Sequence, residues 1–314
     1  MSIEPVAGKE CSAIGPKQPT LTAYPNRDAM LGDLRIYRAM PIRDRRLVGP
    51  WCFLDRFGAL AFAADKPMNV PPHPHIGIQT VSWLVEGEVL HNDSLGSEAI
   101  VRPGGVNVMT AGRGIAHAEE TPAKNSGRLN GVQLWVALPE IHRNTVPSFT
   151  SVEQVSVLET RGGIVQVFAG SYAGVPSSAP YFSDIIGMDI QIHKREAVEL
   201  VLNPEFEHAA LVLSSDCWLE NQHLEEHTLY YLGSRRSSLT LKSQESGRIL
   251  VIGGPPFPET ILMWWNFVAR TSEEIVQARE DWEAHRRFGE VPGEHGPRLA
   301  APSLVRFARP NLVS

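Results

Sequence analysis

The apolar residues of this chain come in short runs, and Gly, Pro, Asp or Asn breaks each one. In the first half the runs are 79–85, 88–91, 99–101, 107–109 and 131–137. Between them stand turn signals such as Glu86-Gly87, Asn92-Asp93, Pro103-Gly104-Gly105 and Ala111-Gly112-Arg113-Gly114. Runs of this length suit strands and are too short for most helices, so the pattern predicts an all-β sandwich or barrel. A second series begins near Gly163, with runs at 164–169, 188–192, 197–202, 209–213, 228–232, 238–241 and 248–252. The less apolar stretch 141–161 reads as a junction. The 314 residues therefore divide into two β-domains of similar size, 1–145 and 146–314, each long enough for its own core. The first thirty or so residues, rich in Pro, Gly and Ala, read as an arm that is loosely ordered or packs over another part of the fold.

One helix is legible. Thr271 begins Thr-Ser-Glu-Glu, so it can cap, and Glu274 can close a reciprocal capping box. Ile275, Ala278, Trp282 and His285 follow at helical spacing, which predicts a short C-terminal helix on the outside of the second barrel. The tail after Phe288 is expected to be extended.

His73-Pro74-His75 and His117-Ala118-Glu119 carry the chemistry. Each pair has one residue between its members, which puts both side chains on one face of a strand. Two such pairs on facing strands of a small barrel would converge on one ion. Pro71, Pro72 and Pro74 stiffen the first pair, and Gly112-Arg113-Gly114 lets the chain turn tightly into the second. Three imidazoles and a carboxylate suit Fe, Mn, Ni, Cu or Zn and leave two adjacent positions of an octahedron open. No cysteine lies near, which argues against a structural zinc site. Six further positions carry polar or ligating side chains. His91 either faces the pocket or, the reading preferred, is a strand-end or turn residue. Glu120 should point away from Glu119 and be structural. Gln133 either orients a ligand or simply packs. His208, His223 and His227 do not repeat the ligand spacing, so no metal is expected in the second half.

The formal charge is −6 and no Lys/Arg-rich run occurs, so direct attraction to nucleic acid is not expected. Cys11, Cys52 and Cys217 are far apart and odd in number, which suits thiols in a reducing compartment. The N-terminus lacks a basic region followed by an apolar run, and Asp55 and Arg56 interrupt the apolar region 47–64. The expectation is a cytoplasmic protein with no membrane segment.

The motifs together resemble the pirin family of the cupin superfamily. The resemblance rests on His73-Pro74-His75-Ile76-Gly77, Glu86-Gly87-Glu88, Asp93-Ser94-Leu95-Gly96, Arg102-Pro103-Gly104 and the run from Met109 to Glu119. It continues through 131–139, upstream to Val48-Gly49-Pro50 and Phe53-Leu54-Asp55, and into 263–270, so that it covers residues 34 to 294. It departs at Ile76, where Arg is usual, at Gln79, where Glu is frequent, and at Asn107-Val108, where Gln-Trp is common.

The resemblance implies two cupin (jelly-roll) barrels facing one another, with a metal in the N-terminal barrel only, held by His73, His75, His117 and Glu119. The cofactor would be one divalent transition metal, Fe(II) first among Fe, Mn, Ni, Cu and Zn. The activity implied is a quercetin 2,3-dioxygenase-type oxidation of a flavonol-like aromatic substrate with O2, with Glu119 as the group that takes the substrate's proton. The alternative is a non-enzymatic regulator that binds a transcription factor or a metabolic enzyme according to its metal state. Two barrels in one chain make a monomer the expected form.

Overall fold

The computed structural model describes residues 9–11, 17–31, 34–61, 68–293 and 295–304. It is all-β apart from one helix among the described residues, and it forms two antiparallel barrels. The large sheet of the first barrel runs in the order Ser148–Val152, Val106–Thr110, Ile78–Gly87, Arg128–Ala137, Trp51–Ala61, Leu34–Met40 and Arg27–Leu31. Its small sheet runs Asn69–His75, Ile115–Glu120, Val89–Asp93 and Glu98–Val101. The second barrel repeats the plan. Its large sheet is centred on Ile186–Ile192, Gly247–Gly254 and Glu207–Ser214, and its small sheet runs from Ala197–Val201 to Gln222–Leu224.

Strand alternation divides the large sheet of the first barrel into two faces. Val81, Trp83, Val106, Val108, Val132 and Leu134 point at the second barrel and share one core with its Phe168, Leu211, Tyr231 and Leu250. The intervening residues point into the first barrel. Polar hydrogen bonds also cross the junction: Trp83 Nε1 donates to Asp189 at 2.6 Å, Trp51 Nε1 to the Gly253 carbonyl at 3.0 Å, and Gly49 N to Glu207 at 2.9 Å. Trp83 stacks on Phe168 with ring centroids 5.1 Å apart. An aromatic side chain buries roughly 150–250 Å², so uncovering each tryptophan would cost roughly 4–6 kcal/mol. The junction therefore behaves as core.

The termini are exchanged between the barrels. Of the N-terminal arm, the described strand Pro19–Pro25 packs over another part of the fold: it pairs with Thr228–Gly233 and completes the second barrel's sheet. At the other end, the hairpin Ile261–Trp264 and Phe267–Ala269 crosses to the first barrel, where Phe267 bridges Ile76. The helix, Ser272–Glu283, has the expected capping box and buries Ile275, Ala278 and Trp282. It lies on the first barrel, against Ile76 and Ala116, and not on the second as its sequence position suggested. His285 falls beyond its C-terminal end. The junction also differs from the boundary expected after residue 145. Ser148–Val152 is still the edge of the first sheet, and Ser156–Thr160 opens the second, so the chain crosses at 153–155. Both edge strands are only partly buried, which is why their weak apolar signal resembled a linker.

Gly77 makes the crossing possible. Its φ is +71°, and a Cβ there would stand 2.1 Å from the Val268 carbonyl oxygen. Only glycine allows both the left-handed turn after His75 and the close approach of the hairpin. Ile76 is 5% exposed and packs with Trp264 and Phe267.

Candidate metal centre

His73 and His75 lie on Asn69–His75, and His117 and Glu119 on Ile115–Glu120. These are neighbouring strands of one sheet, not strands facing across the barrel. His117 stands opposite His73, and the register slips by one residue between there and Val70, where Pro71 and Pro72 sit. Proline has no N–H to give the ladder, so a bulge is where two of them can be accommodated. The three rings gather in the regular part of the pairing, before the slip: the His73 and His117 centroids are 4.3 Å apart, and His75 is 5.0 Å from each. The ligand atoms of His73, His75 and His117 all lie within 4.8 Å of one another. Glu119 joins through His117: its carboxylate, His117 and His91 form a second group with the same spacing.

Two of the three rings present lone pairs, not protons, to the centre. His73 Nδ1 donates to the Pro71 carbonyl at 2.9 Å and His75 Nδ1 to the Asn266 carbonyl at 3.1 Å. Each ring's proton is thereby fixed on Nδ1 and its Nε2 is bare. His75 Nε2 and His117 Nε2 are 3.1 Å apart. Two nitrogens each about 2.1 Å from one ion and at right angles to it lie about 3.0 Å apart. The His75–His117 separation matches that spacing, and His117 is the one ring whose proton no carbonyl fixes on Nδ1, so with its Nε2 bare the donor set fits a transition metal. Burial holds all three rings neutral: His73 is pushed down to about 4, and His75 and His117 lie well below the ordinary histidine value. Burial acts oppositely on Glu119 and raises it, partly offset by His91 and by the Ser82 hydroxyl.

Above the trio lies a pocket of about 650 Å³, counted out to its open mouth, within the size range of small-molecule sites of roughly 300–1,000 Å³. One wall is aromatic: Phe53 and Trp135 stack at 4.0 Å and 13°, and the edge of His75 meets Trp135 at 5.1 Å. Arg38 lies over Phe53 at 4.6 Å and grips Asp55 with two hydrogen bonds of 2.8 and 2.7 Å. Trp265, Asn266 and Leu299 close the other side from the far end of the chain. Below the opening, a polar row crosses the large sheet by cross-strand pairing, from Asn107 through Ser82, Gln133 and Asp55 to Arg38. Ser82 Oγ lies 2.8 Å from Gln133 Oε1 and 3.3 Å from Glu119 Oε1. A hydroxyl has one proton, so it serves one of these acceptors at a time.

Gln133 thus reaches Glu119 through Ser82. Glu120 points the other way and meets His295 at 3.0 Å, which ties down the tail. Gln79 is fully buried and its amide donates to Thr110 and to the Pro180 carbonyl, away from the trio. His91 is corrected: it is no turn residue but a buried member of the strand Val89–Asp93, stacked on Phe149 and touching His117. His208, His223 and His227 lie apart, with His227 stacked on Tyr37. Cys52 and Cys217 are buried, their thiols facing the Trp135 and Ser214 carbonyls; the Cys11 side chain lies outside the described residues. Among the described residues no helix is long and apolar enough to cross a membrane. The sequence reading missed Arg38, Trp265, Asn266 and Leu299, which no spacing links to the ligands. Trp265-Asn266 did stand out as a motif, but without a role.

Comparison with known proteins adds independent information. The pirin family model matches residues 33–136, and the model of the pirin C-terminal cupin domain matches 187–289. A Pseudomonas aeruginosa protein named "putative quercetin 2,3-dioxygenase" is 39% identical over 274 residues, covering 87% of each chain. A "pirin-like protein" of Caulobacter vibrioides is 34% identical and covers 87% of this chain and 96% of its own. The crystal structure of a quercetin 2,3-dioxygenase from Acinetobacter baumannii superposes with a TM-score of 0.89 at 38% identity, over 92% of this chain and 97% of that one.

Proposed function

This chain belongs to the pirin family of two-cupin proteins, and from that premise we propose that it is a metal-dependent dioxygenase of a flavonol-like, quercetin-type aromatic substrate. The observation that carries the reading is the gathering of three neutral imidazoles, with Glu119 beside them, at the floor of an aromatic-walled pocket. His73, His75, His117 and Glu119 would hold one divalent transition metal, with Fe(II) the first choice and Mn, Ni, Cu or Zn compatible with the same donors. When bound, the ion supplies Lewis acidity toward an enol oxygen and a place where O2 can react.

The chain's own residues do the rest. Phe53 and Trp135 form a flat wall against which a planar ring can lie, with the Arg38–Asp55 pair at its edge able to meet substrate hydroxyls. The apolar surroundings of Met109, Ile78 and Ile115 exclude water from the floor. Glu119, raised by burial, is a better proton acceptor than a solvated carboxylate and takes the enol proton onto its oxygen. Ser82 can then turn its own proton to Gln133.

The test is oxygen uptake with quercetin, using apo-protein reloaded separately with Fe(II), Mn(II), Ni(II) and Cu(II). Metal-dependent uptake is expected. Glu119→Gln should lower kcat by roughly 10²–10⁴-fold, the usual value of a positioned base. His117→Ala should lose metal and uptake together. Metal held tightly with no flavonol turnover under any loading would overturn the catalytic reading.

A further inference from the structure

The three gathered imidazoles are not supported alike. His73 and His75 each give their Nδ1 proton to a backbone carbonyl. His117 Nδ1 instead faces another imidazole, His91 Nδ1, at 3.4 Å. His91 Nε2 in turn lies 3.3 Å from Asp93 Oδ2. Asp93 is anchored: its Oδ1 accepts from Leu95 N at 2.8 Å and Ser97 N at 3.0 Å, and its side chain is fully buried. Pairing of Val89–Asp93 with Ile115–Glu120 sets His117 opposite Asp93 and Glu119 opposite His91. The His91 ring is held flat against Phe149, 4.2 Å away and within 6° of parallel.

One constraint fixes every proton in this chain of groups. If His117 offers Nε2 to an ion, its proton is on Nδ1, and that nitrogen must donate. His91 Nδ1 must then accept, so the His91 proton is on Nε2 and points at the Asp93 carboxylate. Each donor meets an acceptor, with none left over. An imidazole backed by a carboxylate is a stronger acceptor than an amide carbonyl. It draws harder on the His117 proton and makes His117 Nε2 more electron-rich.

We infer that His91 and Asp93 are positioning residues: a carboxylate-backed imidazole relay that fixes the tautomer and orientation of His117 and raises its donor strength above that of His73 and His75. The inference rests on the reading of His117 as a ligand. It assigns work to a histidine that touches the site without belonging to the ligand trio. It also distinguishes the relay from a competing use of the same atoms, a chelate of His91, His117 and Glu119 around one ion.

Two substitutions separate ring packing from hydrogen bonding. His91→Phe keeps the stack on Phe149 and removes both hydrogen bonds. His91→Gln loses the ring but has an oxygen for His117 and an N–H for Asp93. The measurements are Co(II) affinity by chelator competition, the d–d spectrum of the Co(II) protein, and the melting temperature of the apo-protein. Expected for His91→Phe are a 10–100-fold loss of affinity, a shifted spectrum and an apo melting temperature close to the parent's. His91→Gln should stay within a few-fold of the parent. Co(II) bound by His91→Phe with parental affinity and spectrum would overturn the relay. Loss of the ion in both variants with retention in His73→Ala would replace the relay by the chelate. An unchanged affinity in His117→Ala would instead remove the ligand reading beneath it. The 15N spectrum of the zinc-loaded parent needs no variant: His117 must carry its proton on Nδ1 and His91 on Nε2, and the opposite tautomer at His91 overturns the proposal.

Discussion

Burying several neutral histidines has a cost that depends on pH. His73 and His208 are pushed down to about 4 by burial, and His75 and His117 also lie well below the histidine value of 6.5. In the unfolded chain all four take a proton as the pH falls through about 6.5, while in the fold they stay neutral. The unfolded state then binds more protons, so acidification favours unfolding. His73 alone contributes about 3 kcal/mol between pH 6.5 and 4. Glu119 has the opposite sign, because its raised value makes the fold lose stability as pH rises above the ordinary 4.5, but it stands against four histidines. The apo-protein is expected to melt at progressively lower temperature from pH 7 to pH 5; a flat profile in a chelator-containing pH series would contradict this. Asn107 gives a second expectation. It is 3% exposed, and neither amide atom has a protein partner. Asn107→Leu should leave the melting temperature unchanged or raise it, since it removes two buried polar atoms that pair with nothing. The four candidate ligands were legible as a pattern because period two in a strand is a local property, written in His-x-His and His-x-Glu. His91 was not, because its meaning comes from the strand beside it.

Among the elements, the hairpin 261–269 has the most consequence for the site. Its turn residue Trp265 lines the pocket, and the Asn266 carbonyl holds His75. Gly77 is the point at which it docks. Gly77→Ala would put a Cβ into the Val268 carbonyl and force a left-handed φ on a residue with a side chain. The expected loss is at least about 2 kcal/mol, with weaker metal binding as the His75 support shifts; a calorimetric comparison of apo- and metal-loaded protein would show both. The helix illustrates what sequence conveys about an element. Its capping box and apolar stripe predicted where it begins and that one face is buried. They carry no address, and the hairpin, not sequence proximity, delivers it to the first barrel. Strands such as Ile78–Gly87, Arg128–Ala137 and Gly247–Gly254, buried along most of their length, were legible as apolar runs. Ser148–Val152, at a sheet edge with little to bury, was not.

At the scale of the whole molecule, two barrels were readable from two series of short apolar runs, but their joining was not. Val81, Trp83 and Leu134 read as ordinary core, and nothing local says that the core they belong to lies between the barrels. The shared core and the exchanged termini predict one cooperative thermal transition. Two separate transitions by calorimetry would mean that the barrels are independent after all. Fragments cut at residue 155 are expected to fold poorly alone, because the first lacks the hairpin and helix while the second lacks Pro19–Pro25. Mixing the fragments should restore soluble protein.

The exchange of termini also sets an order in time. The carbonyl that accepts from His75 and orients it belongs to Asn266, 191 residues downstream, and Leu299 N reaches back to the Pro72 carbonyl. Chains leave the ribosome N-terminus first, so the segment bearing His73, His75 and His117 emerges long before the residues that complete its pocket. If the site takes an ion as proposed, the protein would have its histidines during most of its synthesis but no finished place for that ion, and loading would be deferred until residues 266 and 299 have emerged.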